Sequence, residues 1–505
     1  MLPYVIKFPL ESHGAASWEE AWKQAQDCAF VLESGKSGRY TFLGLNPDST
    51  IQGRGTQAQL DYRDGTPPIH VEGNPLELVR EWMKPFQSPK VEGAPKFIGG
   101  CAGYWGYDVV RTIEKIEPRI SGGIQIPDYY FMMINQLWIR DLQENELYCA
   151  IHVPVPTSTS SSTTKSLALQ EQYDITGQSA LEMKKLWDKI MSAEQDNSGY
   201  TTSQMREQTF QSHILNNDIQ IDIEAIEGIQ TSLSKDEYMR AVLQVQEYIR
   251  QGDVFQVNLA VRQSRAIETA AEDVYEWLRL SNPSPYMGFM RFPDFQIVSA
   301  SPELLVRVEG NQVMARPIAG TRPRGIDAQE DKELAADLIQ SDKERAEHIM
   351  LVDLERNDLG RISRYGSVKV EDFMVIEYYS HVMHIVSQVQ GELQEDKDAF
   401  DVIAAVFPGG TITGAPKIRT MEIIEELETV RRGPYTGSIG WIDYNGNMEF
   451  NIVIRTLIVH EGQGYIQAGA GIVIDSDPEH EYYESLNKAK ALWKAIQYSE
   501  KGLLP

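Results

Sequence analysis

The sequence predicts an α+β fold in which antiparallel sheets are flanked by helices. Three observations carry this. Strand patterns come in groups and do not alternate regularly with helices, which argues against a doubly wound parallel sheet. No repeat of solenoid length is present. The 505 residues are 42% hydrophobic and 24% charged, ordinary for a globular chain of about two to four domains.

Residues 1–152 form a strand-rich N-terminal subdomain broken by turn signals, as in VLESGKSGRYTFLGLNP and FIGGCAGYWGYD. The tract VPVPTSTSSSTTKS at 153–166 has almost no apolar content and opens a flexible polar insertion, residues 153–230. One helical pattern, ALEMKKLWDKIMSA, lies inside it, and parts of the rest are expected to be poorly ordered. Residues 231–505 form a second domain that opens sharply at SKDEYMRAVLQVQEYIRQGD. There Ser234 and Glu237 fit a capping box, Tyr238, Val242, Val245 and Ile249 share one face, and Gly252 suits the stop. FQVNLAVRQS, FQIVSASPELLVRVEG and NQVMARPIAG read as strands, and DVYEWLRLS reads as a helix.

The formal net charge is −26. Such a field repels nucleic acid and anionic membrane surfaces. An anionic ligand would need a local reversal of sign, by a metal or by clustered Arg and Lys. The N-terminus lacks the pattern of a secretion signal, and no apolar run is long enough to span a membrane. Cys28, Cys101 and Cys149 are far apart, which argues against a disulfide framework or a zinc site and fits the cytoplasm.

The stretch FPGGTITGAPK at 407–417 tests as a phosphate loop. Gly409 and Gly414 have the right separation, but Ala415 and Pro416 stand where Lys and Ser or Thr should be, and Lys417 comes two positions late. What survives is a helix start with free amides and Thr411 on the approach, which suits an anionic group. Gly469 and Gly471 in QAGAGIVID lack the third glycine of a dinucleotide fingerprint. They mark either close strand packing or a ligand beside the backbone.

Two segments carry acids three residues apart, Glu344 with Glu347 and Glu481 with Glu484, and Lys488 follows Glu484 by four. On helices each pair shares a face. They are either solvated faces or, taken together, oxygen donors for a hard cation such as Mg²⁺. Ser341 and Glu344 also fit a capping box. His381 and His384 lie in a strand-like segment and read as structural when taken alone, whereas Arg455, at the end of the apolar strand FNIVIRT, calls for an anion.

Together these segments resemble the chorismate-utilising synthases, the large subunits of anthranilate synthase and aminodeoxychorismate synthase. PIAGTRPRG, ERAEHIMLVDLERNDLGR, SHVMHIVS, FPGGTITGAPK, NIVIRT and GAGIVIDSDPEHEYYES occur in that family's order and spacing. The resemblance implies two antiparallel sheets packed as a sandwich, with the active site between them, and chorismate and Mg²⁺ as substrate and cofactor. It implies Glu347 and Glu484 as metal ligands, with Glu344 and Glu481 as their partners. His384 matches the histidine near the departing ring hydroxyl, and Glu344 and Thr321 complete the catalytic set. Thr411, Tyr435, Arg455, Gly471 and Lys488 match positions that hold the substrate's carboxylates.

Gln256, in GDVFQVNLA, stands where the water-using relatives place a lysine base, which implies ammonia as nucleophile. A separate glutamine amidotransferase subunit would deliver it, and no glutaminase nucleophile of the G-x-C-x-G type is expected here. Ala319 in PIAGT replaces the lysine that attacks the ring in many aminodeoxychorismate synthases, which by itself favours anthranilate as product. The texture of FPGGTITGAPK, DLERNDLGR and YTGSIGW instead resembles the aminodeoxychorismate branch. Leu32–Glu33–Ser34 and NPSPYM, with Pro285, Tyr286 and Met287, match the family's tryptophan pocket.

Overall fold

Alternation along single strands sets the layers. In strand Ala29–Glu33, Phe30 and Leu32 join a cluster with Phe42, Tyr104, Tyr130 and Trp441. Ala29 and Val31 face the other way, into a cluster with Trp22, Tyr238, Trp277 and Trp493. Strand Gly100–Trp105 behaves likewise. Ala102 and Tyr104 join the first cluster, while Cys101 and Trp105 pack with Val79 and Phe400. The shared cluster is therefore the filling between two sheets, and the other two lie beneath helices. This is a helix–sheet–sheet–helix sandwich. Each large apolar side chain buried in it contributes about 1.5–3 kcal/mol.

The computed structural model describes residues 1–10, 17–35, 38–155, 162–192, 202–215, 222–379 and 382–501. His381 and much of the Ser/Thr tract lie outside the described residues. One sheet has twelve strands, with Leu2–Pro9 at one edge and Gln230–Thr231 at the other. The second has eleven. Pairing is antiparallel, as the sequence predicts. Both sheets take strands from either side of the polar insertion. Ala29–Glu33 pairs with Tyr286–Arg291, and Gly100–Trp105 pairs with Ser438–Asp443. The sequence boundary near residue 152 thus breaks neither sheet.

Two helices stand in the insertion where the sequence predicts one. Ser162–Met191 buries Ala180, Met183, Trp187 and Ile190 at helical spacing, and Trp138 Nε1 donates to Met183 O at 2.9 Å. Thr202–Leu215 follows. Helix Lys235–Arg250 forms as predicted, with the Ser234–Glu237 capping box complete and Gly252 at φ +82°.

A third sheet of three strands was not foreseen. Ile318–Pro323 pairs with Val382–Val386, which pairs with Val375–Tyr378. It packs through Met383 and Ile385 onto Ala335 and Leu338. The register slips between Ala319 and Thr321, and Gly320 occupies that bulge at φ +62°. That backbone favours glycine, and a Cβ there would also press on Leu338 at 2.8 Å and Glu344 Oε2 at 2.9 Å.

Candidate active site

Helix Asp342–Gly360 carries Glu344 and Glu347, and helix Pro478–Asn487 carries Glu481 and Glu484, with Lys488 as its C-cap. The helices face each other, since Lys488 lowers the cost of charging Glu347 and Lys343 does the same for Glu484. Lys488 Nζ pairs with Glu484 Oε1 at 2.9 Å and donates to Gly469 O at 2.8 Å. Burial pushes Glu347 above the usual carboxylate range, and Glu344 adds to the shift. Burial also opposes charge on Glu484, but Lys488 outweighs it and holds that carboxyl low. Glu481 is buried, its carboxyl pushed up by burial, and accepts from Ser476 Oγ at 2.7 Å.

The capping box predicted at Ser341 is half formed. Ser341 accepts from the Glu344 amide, but the Glu344 carboxylate turns to Arg322 Nη1 at 3.3 Å.

Strands Gln256–Ala266 and Gln463–Ile472 bring a second set of groups to these helices. Gln256 Nε2 donates to Glu347 Oε1 at 3.0 Å. A Cβ on Gly471 would fall 2.1 Å from that nitrogen. Gly471 therefore leaves the path the amide takes, a use of glycine its motif alone did not reveal.

Arg455 lies between strand Met448–Ile452 of one sheet and Thr456–His460 of the other, where the chain crosses over. Its backbone is left-handed, φ +52°, which is uncommon for a non-glycine residue. The side chain is set deep yet partly open and makes no ion pair with a described residue. Burial disfavours its charge, opposed by Tyr435 and Glu484 nearby. Tyr435 is buried, and burial pushes its hydroxyl above the usual range. A cation placed this way needs an anion from outside the protein.

His384 Nδ1 lies 2.9 Å from Gly320 O and 3.1 Å from Thr321 Oγ1. A carbonyl only accepts, so Nδ1 carries the ring proton and Nε2 has the lone pair. Burial lowers the pKa of His384, and Arg455 disfavours its charge further. The histidine that reads as structural in sequence is thus tied to Arg455 and to the bulge at Gly320. Thr321 is exposed, with its hydroxyl turned to His384.

Lys417 does not face a ligand. It is ion-paired with Asp358 and donates to Val406 O at 3.0 Å, so it braces the loop. Thr411 has a buried hydroxyl turned to the Glu303 carboxyl. Sequence reasoning missed Glu303 and Glu355. Glu303 is buried, and burial raises its pKa to about 7. Glu355 is buried too and raised to about 8 by burial, with Asp358 adding to the shift. The available signal was a carboxylate set among apolar residues in SASPELLV and again in LVDLERND.

The donors fit a hard cation. Among the described residues no three His, Cys, Asp or Glu side chains converge on a point. Mg²⁺ does not require this, since it takes one or two carboxylates and completes its shell with water and ligand oxygens. Glu347 and Glu484 supply two carboxylates on facing helices.

Ser34, Tyr286 and Met287 line one cavity of about 30 Å³ with Phe42, Trp441 and Asn451. Pro285 follows Ser284, whose carbonyl accepts from Gly35 N at 3.1 Å, so the two halves of the predicted pocket meet.

The expectation that no G-x-C-x-G string occurs is wrong as spelled: Gly99–Gly103 reads GGCAG. The structure removes it as a nucleophile. Cys101 is fully buried in strand Gly100–Trp105, burial pushes its thiol far above the usual range, and its Sγ meets Met83 Sδ at 3.2 Å. Among the described residues no helix is long and apolar enough to cross a membrane.

Comparison with known proteins agrees with this geometry. Aminodeoxychorismate synthase component 1 of Bacillus subtilis (strain 168) is 44% identical over 494 residues, covering 98% of this chain and 97% of that protein. Anthranilate synthase component 1 of Acetivibrio thermocellus is 39% identical over 482 residues, covering 94% and 91%. The crystal structure of anthranilate synthase component I from Streptococcus pneumoniae TIGR4 superposes with a TM-score of 0.69 at 30% identity, covering 95% of this chain and 99% of that one. The family model described as chorismate binding enzyme matches residues 28–494, and the chain belongs to that family.

Proposed function

We propose that this chain aminates chorismate with ammonia, giving 4-amino-4-deoxychorismate and water. The observation that carries the reading is Arg455, a deep cation without a carboxylate partner among the described residues, beside Tyr435, Glu484 and His384. That arrangement suits a dianionic ring substrate in a chain of net charge −26. Similarity to the Bacillus subtilis aminodeoxychorismate synthase component supports the amination.

In this reading Arg455, Tyr435, Thr411 and Lys488 hold the carboxylates, while Glu347 and Glu484 would hold Mg²⁺, with Glu344 and Glu481 supporting them. When bound, the cation neutralises the ring carboxylate and stabilises charge as the hydroxyl leaves. The proton for that hydroxyl needs a donor. His384 offers a lone pair at Nε2, and burial and Arg455 resist its charging. Glu303, about half protonated at neutrality and next to Thr411, is the better donor. His384 then orients the hydroxyl by accepting from it. With Cys101 buried, the ammonia comes from a separate glutamine amidotransferase subunit. The cavity at Ser34 and Met287 is about 30 Å³, room for a water or two, so tryptophan would enter only if these side chains moved apart. The free, buried cysteines suit the cytoplasm.

Incubation of the chain with chorismate, Mg²⁺ and ammonium tests the reading. A product that retains its enolpyruvyl group supports it. A second reading, anthranilate with pyruvate, is favoured by Ala319 in place of a ring-attacking lysine. Fluorescent anthranilate as the main product would establish that alternative instead.

A further inference from the structure

Two buried oxygens at the site lack a donor among the described residues. Gln256 gives Nε2 to the Glu347 carboxylate, which can only accept, so the amide orientation is fixed. Its Oε1 is then turned away, buried, and accepts from no described residue. Asn258 is two residues along the same strand and therefore on the same face. Its Oδ1 is also buried and accepts from no described residue. The intervening Val257 and the following Leu259 point the other way, into the core.

The strand opposite cannot supply the missing donors. Asn258 pairs with Gly471 and Ala260 with Gly469. A Cβ on Gly471 would meet Gln256 Nε2 at 2.1 Å, and one on Gly469 would meet Asn258 Oδ1 at 2.7 Å. The two glycines thus give their space to the two amides. The nearby cation, Lys488, gives N–H groups to Glu484 and to Gly469 O, and in the reading above its remaining one goes to the substrate. Buried acceptors left unmet are costly, so a pair of them on one face calls for a small ligand rich in N–H or O–H donors.

We propose that Gln256 Oε1 and Asn258 Oδ1 form the seat of the attacking ammonia, with Asn258 as a specificity-determining residue for the nucleophile. This rests on the ammonia-dependent reading above. Ammonia has three N–H donors and one lone pair. Two N–H groups bound to the amide oxygens leave the lone pair free to attack ring carbon. The ring C–O bond breaks as the hydroxyl takes the Glu303 proton and leaves as water, and the new ammonio group then returns one proton to the Glu303 carboxylate, so no further base is required. Water in the same seat would spend both its protons on the amides and stay a weak nucleophile, because an amide oxygen is too feebly basic to deprotonate it. Ammonium would be drawn to Glu347 but has no lone pair.

The test is steady-state kinetics of Asn258→Leu, which keeps the side-chain size and removes the acceptor, with ammonium chloride as nitrogen donor. The KM for ammonia should rise at least tenfold while the KM for chorismate and the melting temperature stay near wild type. Asn258→Asp, which keeps an acceptor oxygen, should recover most of the loss. An ammonia KM within twofold of wild type, or both KM values rising together, would overturn the proposal. Asn258→Ala carries the same expectation should the leucine variant not fold. A wild-type chain that forms no aminated product from ammonium would instead sink the underlying reading, and the two failures are distinct.

Discussion

His384 Nδ1 lies 2.9 Å from the carbonyl oxygen of Gly320, a residue held at φ +62° in a strand bulge. One backbone irregularity thus fixes the tautomer of a deep histidine. Gly320→Ala should damage both partners. The left-handed conformation costs an L-residue about 1–2 kcal/mol, and the new methyl would press on Leu338 and Glu344. Denaturant unfolding should show that loss. Turnover should fall further than the lost stability explains, because His384 loses its anchor. His384→Asn should lower turnover by roughly 10²-fold, the cost of a misplaced hydroxyl, with the fold intact by circular dichroism. Turnover equal to wild type would remove His384 from the reaction.

Glu347 and Glu484 stand on facing helices, and each is influenced by a lysine of the other segment. Glu347→Gln and Glu484→Gln should each abolish turnover at ordinary Mg²⁺ while circular dichroism stays native. Chelation with EDTA should do the same to the wild type. A readout independent of catalysis is binding of Mn²⁺, followed by its paramagnetic signal. Both variants should weaken it, and undiminished Mn²⁺ binding would exclude these carboxylates as ligands.

Much of this site was legible in sequence because the chemistry recurs at fixed spacing. The acid pairs at 344/347 and 481/484 lie on helices as the three-residue spacing requires, and Lys488 follows at the predicted turn. The antiparallel sheets were legible from the grouping of strands. What escaped depends on contacts distant in sequence. Glu303 becomes unusual only when the surrounding protein strips it of water, and the apolar neighbours in SASPELLV hint at that burial without fixing it. The same holds for Lys417, whose partner Asp358 is 59 residues away. The pairing of Ala29–Glu33 with Tyr286–Arg291 likewise joins segments that the sequence reading put in different domains.

Arg455 combines a left-handed backbone, a deep side chain and no ion-pair partner among the described residues. Such a residue is held against its own preference, so function and stability should separate when it is changed. Arg455→Met removes a cation that the protein solvates poorly, and the melting temperature should hold or rise. Charge-assisted hydrogen bonds contribute about 1.5–3 kcal/mol, so the KM for chorismate should increase by roughly 10- to 100-fold. A fall in melting temperature with an unchanged KM would mean that Arg455 serves the fold and not the ligand.

Glu303 and Glu355 set a pH dependence whose sign follows from their burial. Both carboxyls are raised from 4.5, to about 7 and about 8 respectively, by loss of hydration. Between the ordinary and the raised values the folded state holds protons that the unfolded state has released. Stability is therefore fully present below about pH 4.5 and falls as pH rises through 7 and 8. Glu355→Gln cannot ionise, so its urea midpoint should decline less between pH 6 and 9 than that of wild type, by an amount worth up to a few kcal/mol. Activity adds a separate signature. With Glu303 as proton donor, turnover should fall on the alkaline side with an apparent pKa near 7, and Glu303→Gln should lose turnover at every pH. Glu355→Gln should leave that limb in place, because Glu303 still carries the proton that is donated. An alkaline limb that persists unchanged in a Glu303→Gln enzyme of substantial activity would assign the proton to another group.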